Sequence, residues 1–238
     1  MISIGFSTGA IAFGDFRKAL DLLAPSKLQA VELSALRISE VKNLVEAIPN
    51  LRLDGYTHIS FHAPSSFPET EESSLADLLY SKIPTSWSIV LHPDAIYDLS
   101  LWKRFGSRLA IENMDRRKAI GRTVAELRSI FEQLPEARFC FDLGHARQWD
   151  PSMTEAFLIL TVFRDRLVQI HLSEVNSESQ HEAISYGAKL SFQQLAPLIP
   201  DEVPIILESR VNPAQIGKEV ENALQALSPA SQEEQCCA

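Results

Sequence analysis

Arg138-Phe139-Cys140-Phe141-Asp142-Leu143-Gly144-His145 is the stretch whose reading decides the fold. Its first five residues alternate around two aromatic side chains and read as a short strand, closed by an aspartate, a Leu-Gly turn and a histidine. The same phrase, an apolar run ending in a residue able to bind metal, recurs on both sides. Upstream the candidate strands are Ile2–Ser7, Ala30–Ser34, His58–His62, Ser88–His92 and Leu109–Asn113; downstream they are Leu167–Leu172 and Pro204–Glu208. Between them apolar residues fall at helical spacing, as in Val41, Leu44, Val45 and Ile48, or Val124, Leu127, Ile130, Phe131 and Leu134. Helix starts are marked by Thr123 with Glu126 three residues on, and by Asn212-Pro213 ahead of a final helix over about 214–227.

Strands alternating with crossover helices call for a parallel sheet. Eight such units without a glycine-rich phosphate turn predict an α/β fold, a single closed parallel (β/α)8 TIM barrel, rather than an open doubly wound sheet. Gly5-Phe6-Ser7-Thr8-Gly9 comes nearest to a nucleotide turn and lacks its third glycine. A barrel of this kind takes about 250 residues. The 238 residues here therefore suit one domain over 1–228, followed by a polar tail, 229–238, expected to be disordered.

Composition is that of a soluble globular protein, 45% hydrophobic and 22% charged. The net charge of −9 repels polyanions, so nucleic acid is an unfavoured partner and a small molecule a favoured one. Arg104, Arg108, Arg116, Arg117, Lys118 and Arg122 form a local run of cations that reads first as a solvated face. Three cysteines make no disulfide framework, and Cys236-Cys237 sits in an acidic context without a lipidation signature. Cys140, between Phe139 and Phe141, is expected to point into the core. The first residues read as a strand rather than a signal peptide, and no stretch approaches the ~20 apolar residues of a membrane span. A cytoplasmic location is expected. A homo-oligomer is compatible with the sequence.

Chemistry collects where strands end. His62, His92, Glu112, Asp142 with His145, His171 and Glu208 close successive predicted strands, and His181 lies beyond His171. Strand ends at one mouth of a barrel converge. Several carboxylates and imidazoles buried together are costly unless a cation neutralises them. Mixed nitrogen and oxygen donors suit zinc or manganese, with iron or magnesium behind them, better than calcium. Between one and three ions per chain would fit these donors.

This ordered set resembles the xylose isomerase-like barrel superfamily of sugar isomerases, sugar epimerases and endonuclease IV. The resemblance implies a one-metal site of Glu112, Asp142, His171 and Glu208, as in the epimerase-like members. It further implies, as in the endonuclease IV-like members, a second site from His62 and His92 with Glu112 bridging, and a third from His145 and His181. Ser179 departs from that pattern, which has an aspartate two residues before the His181 position. The foremost expectation is a metal-dependent isomerase or epimerase of a sugar or sugar phosphate, working through an enediolate. In it Glu112 and Glu208 exchange protons and His145 steers a hydroxyl. The alternatives are a phosphoester hydrolase, a multinuclear iron oxidase, and a barrel that binds without turnover. Glu32 reads either as a ligand or as a helix cap, Arg210 and Lys189 as phosphate contacts or surface charges, and Trp149 as a pocket wall or rim packing.

Overall fold

In the computed structural model, which describes residues 2–228, eight short parallel strands hydrogen-bond in chain order and the last returns to the first. They are β1 (Ile4–Ser7), β2 (Ala30–Ser34), β3 (His58–His62), β4 (Ser88–Leu91), β5 (Leu109–Glu112), β6 (Arg138–Asp142), β7 (Leu167–Leu172) and β8 (Ile205–Leu207). Closure comes from the β1–β8 ladder, with Ile4 opposite Ile205 and Phe6 opposite Leu207. Helices fill the crossovers, so the expected barrel stands. The Cys236-Cys237 pair and the expected disordered tail lie outside the described residues.

Alternation along each strand sorts side chains into two layers. Phe139 and Phe141 join Leu33, Phe61, Leu91, Ile111 and Ile170 in the main core against the helices. Val90, Ala110 and Cys140 form a separate cluster facing inward. The next inward position on each of those three strands is His92, Glu112 or Asp142, so strand parity aims the chemistry at the barrel axis. Gly5 is fixed by packing: a Cβ there would lie 1.6 Å from the Ala30 carbonyl oxygen.

Ladder pairing stops one residue short of the expected strand ends at His92, Asn113 and Glu208. Asn113 shows why its strand is shorter. Its side chain takes over the pairing, accepting from the Asp142 backbone N–H at 2.7 Å and donating to the Asp142 carbonyl at 2.8 Å. Thr123 caps its helix by accepting from the Glu126 N–H, and Asn212 with Gln215 forms a capping box. The final helix, Ile216–Ala226, follows one 3-10 turn at Pro213–Gln215. Glu72, buried in a crossover helix, accepts from the N–H groups of Tyr97 and Asp98 and from Trp102 Nε1, each at 2.9 Å. No helix among the described residues is long and apolar enough to cross a membrane.

Candidate metal centre

The Asp-Leu-Gly-His turn after β6 is set by a cap. Asp142 Oδ1 accepts from the His145 backbone N–H at 2.6 Å and starts a helix, which carries His145 back over the mouth. Asp142 Oδ2 is left buried without a partner. Gly144 permits this turn, since a Cβ there would stand 2.6 Å from the Ser173 carbonyl. A two-residue antiparallel ribbon, Glu174–Val175 with His181–Glu182, brings His181 to the same place.

Glu112 is the hub. One oxygen, Oε2, is 3.0 Å from His62 Nε2 and 3.2 Å from His92 Nε2. The other, Oε1, is 3.3 Å from both His145 Nδ1 and His171 Nδ1. His62 donates from Nδ1 to the Ala63 carbonyl at 2.7 Å, leaving Nε2 for Glu112 or a cation.

Potential donor atoms fall into overlapping sets, each within 4.8 Å: His62, His92 and Glu112; Glu112, Asp142, His171 and Glu208; and Asp142, His145 and His181. Glu32, His62, His171 and Glu208 form a further set. Glu112 Oε1, Asp142 Oδ2 and His171 Nδ1 are buried without hydrogen-bond partners, although such atoms cost about 1–3 kcal/mol each. Three orphaned acceptors pointing at one spot are what a cation would satisfy, and imidazole with carboxylate is a donor set for a divalent ion of zinc or manganese type. The residues fit a metal.

Protons balance these charges in the metal-free chain. Burial opposes ionisation of Glu112, but His171 and His92 outweigh it and hold the carboxyl well below its usual range. Burial likewise pulls His62 and His145 down, yet the surrounding carboxylates carry them up to about 9 and about 10. His171 is raised well above the ordinary value, against its burial, by Cys140 and by the carboxylates of Glu32, Glu208 and Glu112. Burial dominates elsewhere: it lowers His92, lowers His181 to about 3 with help from His145, raises Asp142, and raises Glu208 to about 7.

A family model of the xylose isomerase-like TIM barrel matches residues 94–228, more than half of the chain. The chain belongs to the xylose isomerase-like TIM barrel family. Glu112, Asp142, His145, His171, His181 and Glu208 lie within the matched segment, whereas His62 and His92 precede it. Among solved structures, endonuclease IV from Thermus thermophilus is similar at 18% identity and a TM-score of 0.60, over 94% of this chain and 98% of that one. A putative sugar phosphate isomerase/epimerase from Anabaena variabilis has 13% identity and a TM-score of 0.57, over 92% and 88%. The 3-keto-D-glucoside 4-epimerase of E. coli has 13% identity and a TM-score of 0.52, over 94% and 99%. At these identities the likeness establishes the fold. No curated protein matches by sequence.

In this xylose isomerase-like barrel a cavity of about 220 Å³ opens at the mouth. His62, His92, His145, His181 and Glu208 reach it; Glu112, Asp142 and His171 lie deeper and do not line it. Glu112 is fully buried below this cavity. Arg117, Lys118 and Arg210 bring positive charge to the rim. Arg117 pairs with Asp115 at 3.3 Å and Lys118 with Asp94 at 2.8 Å, while the Arg210 guanidinium lies 5.2 Å from the ring centroid of Phe13, an exposed residue held at φ +48°.

Other expectations resolve residue by residue. Arg104 and Arg108 precede β5 and the remaining cations of that run follow it, so the barrel separates them onto opposite ends. Lys189 donates to Gln225 at 2.6 Å and does not line the cavity; neither does Trp149, which packs under the Arg122 guanidinium. Ser179 does line it, at φ +56°, with its hydroxyl accepting from Gln148 at 2.7 Å. Glu32 caps no helix; it lies fully buried inside the barrel. Sequence reading overlooked Asn113 and Gln169. Gln169 could have been found from parity, since a glutamine two residues before His171 on the inward face is out of place in an apolar core.

Proposed function

We propose that this chain is a divalent-metal-dependent hydrolase of a small phosphate ester. The observation that carries the reading is Glu112, whose two oxygens face different imidazole pairs, so one carboxylate can serve two adjacent ions. A divalent pair supplies Lewis acidity toward a phosphoryl oxygen and acidifies water. The chain's own residues supply the rest. Arg117, Lys118 and Arg210 attract and orient an anionic group at the rim. Glu208 alone among the carboxylates of the donor sets lines the cavity. That position at the mouth suits a group that takes a proton from an attacking water. The small cavity and the net charge of −9 favour a small ester over duplex nucleic acid.

The second reading, a sugar or sugar-phosphate isomerase or epimerase, draws on the same small cavity and on the intact set of Glu112, Asp142, His171 and Glu208. It asks for a second proton-transfer group facing the substrate, and buried Glu112 is poorly placed for that. His62→Ala separates the readings. In the hydrolase it should lower the bound ions from two to one per chain and cut phosphate release from aryl phosphate mono- and diesters by about a hundredfold or more, the scale of an electrostatic catalytic group. Solvent deuterium appearing in a ketose phosphate, with turnover preserved in His62→Ala, would overturn the hydrolase reading and favour the isomerase.

A further inference from the structure

Beneath the candidate centre a carboxylate bridges the barrel from one wall to the other. Glu32 belongs to β2 and meets residues of β7, a strand with which β2 shares no ladder. Its Oε2 accepts from Gln169 Nε2 at 2.7 Å and from Ser60 Oγ at 2.9 Å, and lies 3.2 Å from His171 Nε2. Gln169 Oε1 is held in turn by His58 Nε2 at 2.8 Å. Glu32, Gln169 and His171 are all fully buried. Layers inside such barrels are ordinarily filled by Val, Ile and Leu, and a well-packed apolar layer is often at least as stable as a buried charge network. Packing therefore does not account for this layer.

What the layer does is engage one nitrogen of His171. We infer that Glu32 is a positioning residue: it keeps the His171 proton on Nε2, so that the Nδ1 lone pair faces the point where Glu112, Asp142 and Glu208 converge. The inference rests on the metal-centre reading. His171 Nδ1 is the unpartnered nitrogen, 3.3 Å from Glu112 Oε1 and 3.6 Å from Glu208 Oε2. Gln169 Nε2 competes, for it lies 2.8 Å from His171 Nε2 and could donate to that nitrogen if the proton sat on Nδ1. The carboxylate wins this contest because a hydrogen bond to an ionised acceptor is about twice as strong as a neutral one. Gln169 then serves to hold Glu32, with His58 fixing the amide from the other end. Partners of this kind orient a ligating imidazole, and their loss typically weakens metal binding 10–100-fold.

The test uses the full metal-free chain and zinc. Long-range proton–nitrogen NMR of the zinc-loaded wild type should show the His171 proton on Nε2. Chelator competition should show Glu32→Gln binding zinc about 10–100-fold more weakly at its tightest site. Ser60→Ala, which removes only a neutral hydrogen bond to the same oxygen, should change affinity less than threefold. Unchanged zinc affinity in folded Glu32→Gln overturns the inference and leaves the metal centre standing, whereas a proton on Nδ1 in the zinc-loaded wild type overturns the inference and removes His171 from the ligand set. A wild type that binds neither zinc nor manganese overturns both. Should Glu32→Gln fail to fold, the proton position in the wild type decides.

Discussion

Zinc titrated into the metal-free protein at pH 8 should expel protons in proportion to the ions bound. Metal requires neutral imidazole and ionised carboxylate, so every ligand that holds a proton must release it. In the set of Glu112, Asp142, His171 and Glu208, His171 holds one, because its pKa is raised well above the ordinary value. Glu208, at about 7, is mostly ionised at pH 8, and any proton retained by the upward-shifted Asp142 adds to the count. In the set of His62, His92 and Glu112, His62 at about 9 holds a proton, whereas His92, lowered by burial, is already neutral. The first ion should therefore release at least about one proton and the second about one more. Because the loaded form holds fewer protons, affinity rises with pH. The slope is about tenfold, or ~1.4 kcal/mol, per pH unit for each proton displaced. For the second ion the rise should flatten near pH 9, where His62 gives up its proton unaided. Calorimetry in two buffers of different ionisation enthalpy counts the protons, and chelator competition from about pH 7 to 9.5 gives the slope. Tight binding with no proton release and a flat affinity would refute the assignment of His171 and His62 as ligands.

The metal-free protein should show the opposite trend. His62 and His145 have folded pKa values above the ordinary 6.5, so their stabilisation is complete below about pH 6.5 and is lost as pH rises through about 9 to 10; melting scans with chelator should fall across that window. Glu72→Ala orphans the buried Trp102 Nε1–H at about 1–3 kcal/mol and releases the half-buried N–H groups of Tyr97 and Asp98 toward water. At about 2–4 °C per kcal/mol the melting temperature should drop by about 2 °C or more, with zinc stoichiometry unchanged. Gly144→Ala pushes a Cβ against the Ser173 carbonyl. It should cost about 1–3 kcal/mol and also weaken zinc binding by displacing His145 and Asp142, and wild-type affinity in this variant would show that the turn is not what positions them.

The barrel and most of the donors were legible because both depend on short-range pattern. The run from Arg138 to Asp142 shows its strand by alternation and its chemistry by its last residue, and the same holds for β3 and β5, while β7 carries His171 one residue before its end. Roles that depend on cross-barrel neighbours were not legible. Glu32 meets Gln169 and His171 from 137 and 139 residues away, and no spacing rule connects them. The ribbon that delivers His181 is two residues per side, too short for periodicity to register. The depth of Glu112 was hidden too, since sequence cannot tell a strand-end carboxylate that faces substrate from one enclosed by imidazoles.

The donors gathered around Glu112 come from the ends of β3, β4, β5, β6, β7 and β8 rather than from neighbouring turns of one element. Two ions held there, sharing Glu112, would be a clasp on three-quarters of the barrel wall. Local opening of any one of those strands would have to surrender a ligand, so motions that are independent in the empty protein become coupled once it is loaded. Only β1 and β2 stand outside the sets that Glu112 joins, and Glu32 reaches from β2 toward His171. Loading the mouth would thus convert a ring of separately fraying strands into a unit that opens together or not at all. Amide exchange and proteolysis would register that change along most of the chain, far from the cavity itself.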